Sequence, residues 1–418
     1  MKKIIIVGAG LSGATTARIL AEKGHSVFVF DKRDTIGGNA YDFTDKNGII
    51  VQPYGPHIFH TSDKEVFDFL SEFTEWKKYE HKVLANIKGK LVPVPFNLTS
   101  LFQLYPLDKA ERIKEVLLSE FKEGEKVPVL KLKTHESAEI REFGDFVYKN
   151  IFYTYTTKQW GFKPEELGDT VMNRVPVYLS EEDRYFTEKY QYMPLKGFTV
   201  MIENMLKHPN IKLQLGIDAK KRIALQDGDI YLDGKKYDGV LVYTGCVDEL
   251  FDYKFGALPY RTLKFKFKTK KTPSFQKAAV VNYTTSARFT RISEFTKFTC
   301  EPKDKTVIVK EYSKEYKKNK GDIPYYPIPL AKNFEKYGEY EKEAKNYEGL
   351  YLLGRLANYK YINMDVAVKN ALTLAKKIIK ENPVSEKHKV EIEKELEKAS
   401  ETKKSSAKKK TVKKTQEK

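Results

Sequence analysis

A strand, a glycine turn and a helix open the chain, and they restrict its fold more than any other stretch. Residues 3–7, KIIIV, form a short apolar run of the kind a buried parallel strand needs. Gly8, Gly10 and Gly13 follow in GxGxxG spacing, residues 11–23 suit a helix ended by Gly24, and HSVFVF at 25–30 reads as a second strand. In such a β-α-β unit Gly8 permits a tight turn and Gly10 lets a pyrophosphate approach the backbone. Gly13 lets helix and strand pack closely. The helix N-terminus adds free N–H groups and partial positive charge for phosphates. Asp31 ends the second strand, where a carboxylate can accept hydrogen bonds from a ribose diol. These features together point to dinucleotide binding.

The extension DKRDTIGGNA separates candidate dinucleotides. Its glycine pair, Gly37-Gly38, resembles the flavoprotein pattern in which a second loop passes the FAD pyrophosphate. The late strand end LLGR, with Arg355, resembles the second FAD-contacting segment of such proteins. An ordinary turn is the bland alternative for the glycine pair; the combination favours FAD over NAD.

At 418 residues the chain has room for two or three domains. Residues 98–180 are helical in pattern, 257–312 are strand-rich, and a strand followed by a helix returns near 349. A last β-α unit echoing the first predicts an α/β fold: a discontinuous Rossmann-like FAD domain with an inserted helical domain and an antiparallel β-sheet domain. The boundaries are 1–97 with 196–256 and 345–383 for the FAD domain, 98–180 for a helical substrate domain with a mobile loop, and 181–195 with 257–344 for the sheet. Residues 384–418 make a basic tail, in which SEKHKVEIEKELEKA could be a solvated helix. The last 18 residues hold eight lysines against two glutamates, part of a net charge of +18. A solvated, disordered end is favoured there over a membrane or nucleic-acid anchor, and no nucleic-acid partner is expected. No apolar run approaches the roughly 18 residues of a membrane span, and MKKIIIVGAG reads as a first strand, not a signal peptide. Two cysteines, Cys246 and Cys300, build no disulfide framework, which fits a cytoplasmic location.

The remaining candidates are scattered. YGPHIFHT places His57 and His60 beside a Gly-Pro turn; with no cysteine or carboxylate cluster joining them, no metal site is expected, and the choice lies between loop histidines and residues facing a flavin. Phe152, Tyr155, Thr156 and Trp160 recur at helical spacing, either as core or as one wall of a pocket. Arg174, Asn282, Arg291, Tyr326 and Tyr361 are surface or sheet residues singly, but together resemble a clamp for a diphosphate.

These segments, DKRxxIGGNAY, YGPHIFHT, YTTKQWG, NRVPV, FGALPYRTLKF, FTRI, PYYPI and GRLANYKYINMD, resemble the UDP-galactopyranose mutase family over residues 1–380. The resemblance implies interconversion of UDP-galactopyranose and UDP-galactofuranose, a precursor of cell-surface glycans, without net redox. N5 of reduced FAD attacks the anomeric carbon and UDP leaves; the sugar recloses through its 4-hydroxyl and UDP returns. NAD(P)H would serve as external reductant, and the enzyme would be a homodimer. Arg174 and Arg291 would bracket the diphosphate, with His60 by the flavin as the third catalytic residue. Substrate contacts would come from His81, Phe152, Tyr155, Thr156, Trp160, Tyr185, Arg261, Asn282, Tyr326 and Tyr361. The flavin would be held by Gly8, Gly10, Ser12, Gly13, Asp31, Lys32, Gly38, Asn39, His57, Ile58, Ala219, Arg355, Ile362, Asn363 and Met364. Two departures stand out: Asn363 replaces the family's usual Asp, and His81 stands where some members have Asn. His60 matches the galactose pattern more than that of members accepting UDP-N-acetylgalactosamine. The competing readings are a mutase that also takes the N-acetylated sugar, a flavin oxidoreductase of the amine-oxidase type, and a flavin-free binding protein like the dissociation inhibitors of small GTPases.

Overall fold

The opening glycine unit folds as its pattern requires. In the computed structural model, which describes residues 2–167, 176–285, 287–299 and 303–384, β1 (Ile4–Val7), α1 (Leu11–Glu22) and β2 (Val27–Phe30) form a parallel β-α-β unit. Ile4, Ile6, Val27 and Val29 are wholly buried, which explains why these strands carry no polar alternation.

The chain then runs through β3 (Phe59–Thr61), β4 (Trp76–Lys78), β5 (Val83–Ile87) and β6 (Lys90–Val94). Helices α2 (Leu98–Leu104), α3 (Leu107–Glu120) and α4 (Ala138–Val147) follow. Asn97 caps α2 by accepting from Ser100 N at 2.8 Å. A wide π-helical turn, Tyr148–Tyr153, joins α4 to α5 (Thr154–Trp160), and Gly161 ends α5 in the left-handed region at φ 77°. Beyond it lie β7 (Tyr190–Pro194), β8 (Ile211–Gln214), β9 (Val240–Tyr243), β10 (Tyr260–Lys270), β11 (Val280–Tyr283) and β12 (Arg291–Glu294). β13 (Thr306–Glu315), β14 (Tyr326–Pro327), β15 (Leu350–Leu352) and α6 (Met364–Glu381) complete the labelled elements.

Two sheets position the site. The parallel sheet has the order β8-β2-β1-β9-β15, so β1 is central and its carboxyl end meets the glycine turn. The second has the order β14-β10-β13-β12-β11-β5-β6. It differs from the expected sheet in three ways. β5 and β6 come from before residue 97, and β11 pairs with β5 in parallel, Val280 opposite Val83, so the sheet is mixed. Strand β7, expected with this sheet, pairs instead with β3 and β4. The physical reason is that Val83, Ala85 and Ile87 alternate on one face and complete a core that runs on from β11 and β12. No helix among the described residues is long and apolar enough to cross a membrane. Arg174, Cys300 and the expected helix after Pro383 lie outside the described residues.

Candidate active site

The cofactor side is built from two glycine turns laid against each other. A Cβ on Gly13 would stand 1.9 Å from the Gly8 carbonyl oxygen, so only glycine lets α1 close on β1. Gly37 N donates to Ala9 O at 2.9 Å, and a Cβ on Gly10 would lie 3.7 Å from the Gly38 Cα. Backbone thus meets backbone beside the opening of α1. Asp31 is buried and built into this turn, accepting from Ala9 N at 2.8 Å and Arg33 N at 2.9 Å. Each of its oxygens keeps a lone pair for a ribose hydroxyl. Ser12, near the start of α1, faces the end of β15, where a Cβ on Gly354 would be 3.3 Å from its Oγ.

Arg33 was not among the residues expected here. Its Nη2 donates to Asn39 Oδ1 at 2.9 Å, and its guanidinium lies over the Tyr54 ring at 4.4 Å. Its Nη1 is buried with no partner. Lys32, the expected neighbour, is exposed. In the DKRD run nothing distinguishes the two cations; only the fold turns one inward. An orphaned guanidinium nitrogen beside a cradle of N–H groups fits the pyrophosphate of FAD.

Arg355 closes the cradle. Its Nη2 donates to Ile362 O at 2.6 Å and its Nη1 to Tyr325 O at 3.3 Å, while the guanidinium covers Tyr361 at 4.7 Å and Tyr326 at 5.6 Å. His57 Nδ1 meets Gly55 O at 2.9 Å; burial, then the Arg355 charge, push the imidazole down to about 4, so it is neutral. Ile58 is half-buried against the core and Ala219 is buried. Asn363 is the N-cap residue of α6, yet its exposed side chain makes no capping bond. Ile362 and Met364 flank it, one buried and one half-buried.

The substrate side lies on the inner face of the second sheet. Arg291 on β12 stands directly opposite Glu311 on β13, and its Nε donates to Glu311 Oε2 at 2.9 Å. Glu311 is 1% exposed, and its second oxygen has no partner. Burial works against the guanidinium charge, but the Glu311 carboxylate paired with it holds Arg291 above its ordinary value. Burial raises Tyr155 and Tyr326, so both phenols stay protonated and available as donors. Trp160 packs on Tyr326 at 5.9 Å and edge-on to Tyr361 at 6.1 Å. Asn282 on β11 stands directly opposite Arg291, buried, with Oδ1 lacking a partner. Glu311 was also missed from the sequence. Its signal is phase: it continues the inward series Val307, Val309 along β13, where a charge is unexpected.

A second group adjoins this one. His60 Nδ1 meets Glu188 Oε1 at 3.1 Å, and its ring stacks on Phe186 at 3.6 Å. The bond from His60 holds the Glu188 carboxyl below the usual carboxylate range. His81, 3% exposed, bonds Tyr79 OH at 3.0 Å and meets Tyr185 edge-on at 5.8 Å. Burial, with Arg291 and His60 adding repulsion, pushes His81 down to about 3.

The fold therefore gathers His57, Tyr155, Trp160, Asn282, Arg291, Tyr326, Arg355 and Tyr361, with His60, His81 and Tyr185 adjoining. Thr156 is buried on the same helix as Tyr155. Two expected contacts sit differently. Phe152 is packed in the main core, 6.5 Å from Tyr148, because the wide turn directs it there. Arg261 is committed to the end of α5, donating to Gln159 O at 3.1 Å, Lys158 O at 3.4 Å and Ser313 Oγ at 3.1 Å.

Comparison with known proteins matches this layout. A sequence profile of the UDP-galactopyranose mutase family fits residues 150–361, and one of NAD(P)-binding Rossmann-like domains fits residues 6–73. A dTDP-fucopyranose mutase of Escherichia coli is 36% identical over 91% of this chain and 100% of its own length. A probable UDP-galactopyranose mutase of Klebsiella pneumoniae is 35% identical over 90% of this chain and 94% of its own. Among solved structures, a reduced UDP-galactopyranose mutase superposes with TM-score 0.68 at 16% identity, covering 92% of this chain and 97% of the other. Putrescine oxidase shares the fold more loosely, TM-score 0.53 at 13% identity over 90% of this chain and 99% of its own. The chain belongs to the UDP-galactopyranose mutase family.

Proposed function

We propose that this chain interconverts UDP-galactopyranose and UDP-galactofuranose as a cytoplasmic, homodimeric enzyme. The observation that carries the reading is the Arg291–Glu311 pair, with the Tyr155 and Tyr326 phenols in its field and the Trp160 ring against Tyr326 and Tyr361. A cation fixed by a buried carboxylate is a rigid donor for a diphosphate, and phenols kept protonated add neutral donors.

Gly10, Gly13, Gly38, Asp31, Arg33, Asn39, His57 and Arg355 would hold FAD, with Ser12 and Ala219 adjoining. When bound and reduced by NAD(P)H, FAD supplies the nucleophile for the anomeric carbon. Arg291 meets the charge that grows on the β-phosphate as the C1–O bond breaks, and Arg174 would join it from the opposite side. Tyr326 and Tyr361 orient the same phosphates, so UDP is retained for the return step. The neutral His57 and His81 leave the net positive charge at the diphosphate to the arginines. Atoms and electrons balance without an external oxidant: the C1–O bond to UDP breaks and re-forms, and the ring bond from C1 to O5 is exchanged for one to O4, with the 4-hydroxyl proton passing to O5.

The Escherichia coli relative named for dTDP-fucopyranose favours one second reading, a mutase acting on a dTDP-linked sugar. Incubating the dithionite-reduced protein separately with UDP-galactopyranose and dTDP-fucopyranose, with chromatography of the products, decides between them. Furanose from the UDP sugar at the higher kcat/KM supports the first reading. Conversion of the dTDP sugar alone replaces it.

A further inference from the structure

The Lys158 side chain takes no part in the site described above, yet three hydrogen bonds hold it there. From α5 its Nζ reaches the turn between β11 and β12 and donates to the carbonyls of Tyr283, Ala287 (3.0 Å) and Phe289 (3.3 Å). An ammonium has three N–H donors, and three backbone carbonyls take them. That turn carries Asn282 at one end and Arg291 at the other; α5 carries Tyr155 and Trp160. The helix is tied a second time through its backbone. The carbonyls of Lys158 and Gln159 accept from Arg261, and Gln159 O accepts from Ser313 Oγ at 2.5 Å. Two consecutive residues thus fasten α5 to the arginine-bearing turn on one side and to β10 and β13 on the other.

A residue serving only to fill this space would not need a charge, since burying an ammonium is costly unless its donors are satisfied. We propose that Lys158 is a positioning residue, setting the distance between the Tyr155–Trp160 wall and Arg291 and through it the affinity for a nucleoside diphosphate. The proposal rests on the reading of the site as one for a nucleotide sugar. The full three-bond cage needs the protonated side chain, since a neutral amine keeps two N–H donors and no charge. Burial lowers Lys158 to about 8, so the brace is complete at pH 7 and weakened as pH rises through that value. Burial alone causes that shift. The elements packed against it carry Tyr283 at the end of β11, Arg288 on the turn, Arg261 on β10, and Lys310, Glu311 and Tyr312 on β13; burial raises Tyr283, which therefore stays neutral in that window.

The test uses the full FAD-loaded chain and two variants, Lys158→Met and Lys158→Gln; the second serves if the first does not fold. UDP affinity is measured by calorimetry at pH 7 and pH 9, and amide hydrogen exchange is followed in peptides spanning 283–290. The expected result is UDP binding weakened about tenfold or more at pH 7, with flavin absorbance unchanged and exchange in 283–290 accelerated. Wild-type affinity should fall between pH 7 and 9, and the variant should show no such fall. UDP affinity within twofold of wild type at both pH values overturns the positioning role. Unchanged exchange in 283–290 overturns the brace itself, whatever UDP does. A wild-type protein that binds no UDP, with exchange accelerated in the variant, sinks the nucleotide-sugar reading and the affinity claim with it, while the brace stands.

Discussion

At the scale of single residues, the site depends on one charge held by another. Arg291 was legible because its FTRI segment resembles the family's, whereas Glu311 stood beside Lys310 in the polar half of its strand with no motif to mark it. Pairing decides what a substitution does. Arg291→Ala removes the diphosphate donor and should lower turnover about 100-fold or more while FAD stays bound. It also strands Glu311, which is 1% exposed, and should cost about 3 kcal/mol of stability. Adding Glu311→Ala should recover part of that stability but none of the turnover. Unfolding curves and initial rates of the single and double variants beside wild type check this, and near-normal turnover in Arg291→Ala would remove the clamp. Arg33 and Lys32 teach the same lesson in reverse: adjacent cations are equivalent in sequence, and only the fold buries one.

At the scale of elements, the glycine unit was the most legible part because each glycine answers a separate steric demand. Gly13 serves packing and Gly10 serves the ligand, so the two should fail differently. Gly13→Ala places a Cβ 1.9 Å from the Gly8 carbonyl and should prevent folding or leave an aggregated product. Gly10→Ala has 3.7 Å to the nearest backbone and an ordinary negative φ of −79°, so the fold should survive while FAD affinity drops. Thermal melts of the apo proteins and flavin titrations separate these outcomes; a Gly10→Ala protein that binds FAD normally would contradict the cradle. The second sheet was less legible. No strand was expected at β5 or β6, which the sequence reading placed in the FAD domain, and pairing β5 in parallel with β11 is a contact between residues 83 and 280 that no window of sequence contains. The commitment of Arg261 to the end of α5 was hidden for the same reason.

At the scale of the whole molecule, histidines that the fold holds neutral give stability a pH dependence. His57 is lowered to about 4 and His81 to about 3, chiefly by burial. The unfolded chain takes up protons below about 6.5 that the folded chain refuses, so stability is present above that value and lost as pH falls. Between pH 6.5 and 5 the two groups should together remove about 3 kcal/mol. Burial also lowers His25 and His208, which add to the total; denaturant unfolding at several pH values measures it, and His81→Asn should remove about half of the contribution of the His57–His81 pair, whereas an unchanged slope would mean that His81 is not held neutral. The lysine-rich end belongs to a different account. The profile of the mutase family stops at residue 361, and removing residues 385–418 should leave turnover within twofold. A truncated protein without activity would give the tail a part in catalysis. The central claim is that a reduced flavoprotein with an arginine clamp rearranges a nucleotide sugar without consuming electrons. The most direct measurement follows flavin absorbance and sugar products together, under anaerobic conditions, after one reduction and removal of excess reductant. Many equivalents of UDP-galactofuranose per enzyme with the flavin still reduced is the predicted result; no furanose, or flavin reoxidised in step with product, contradicts it.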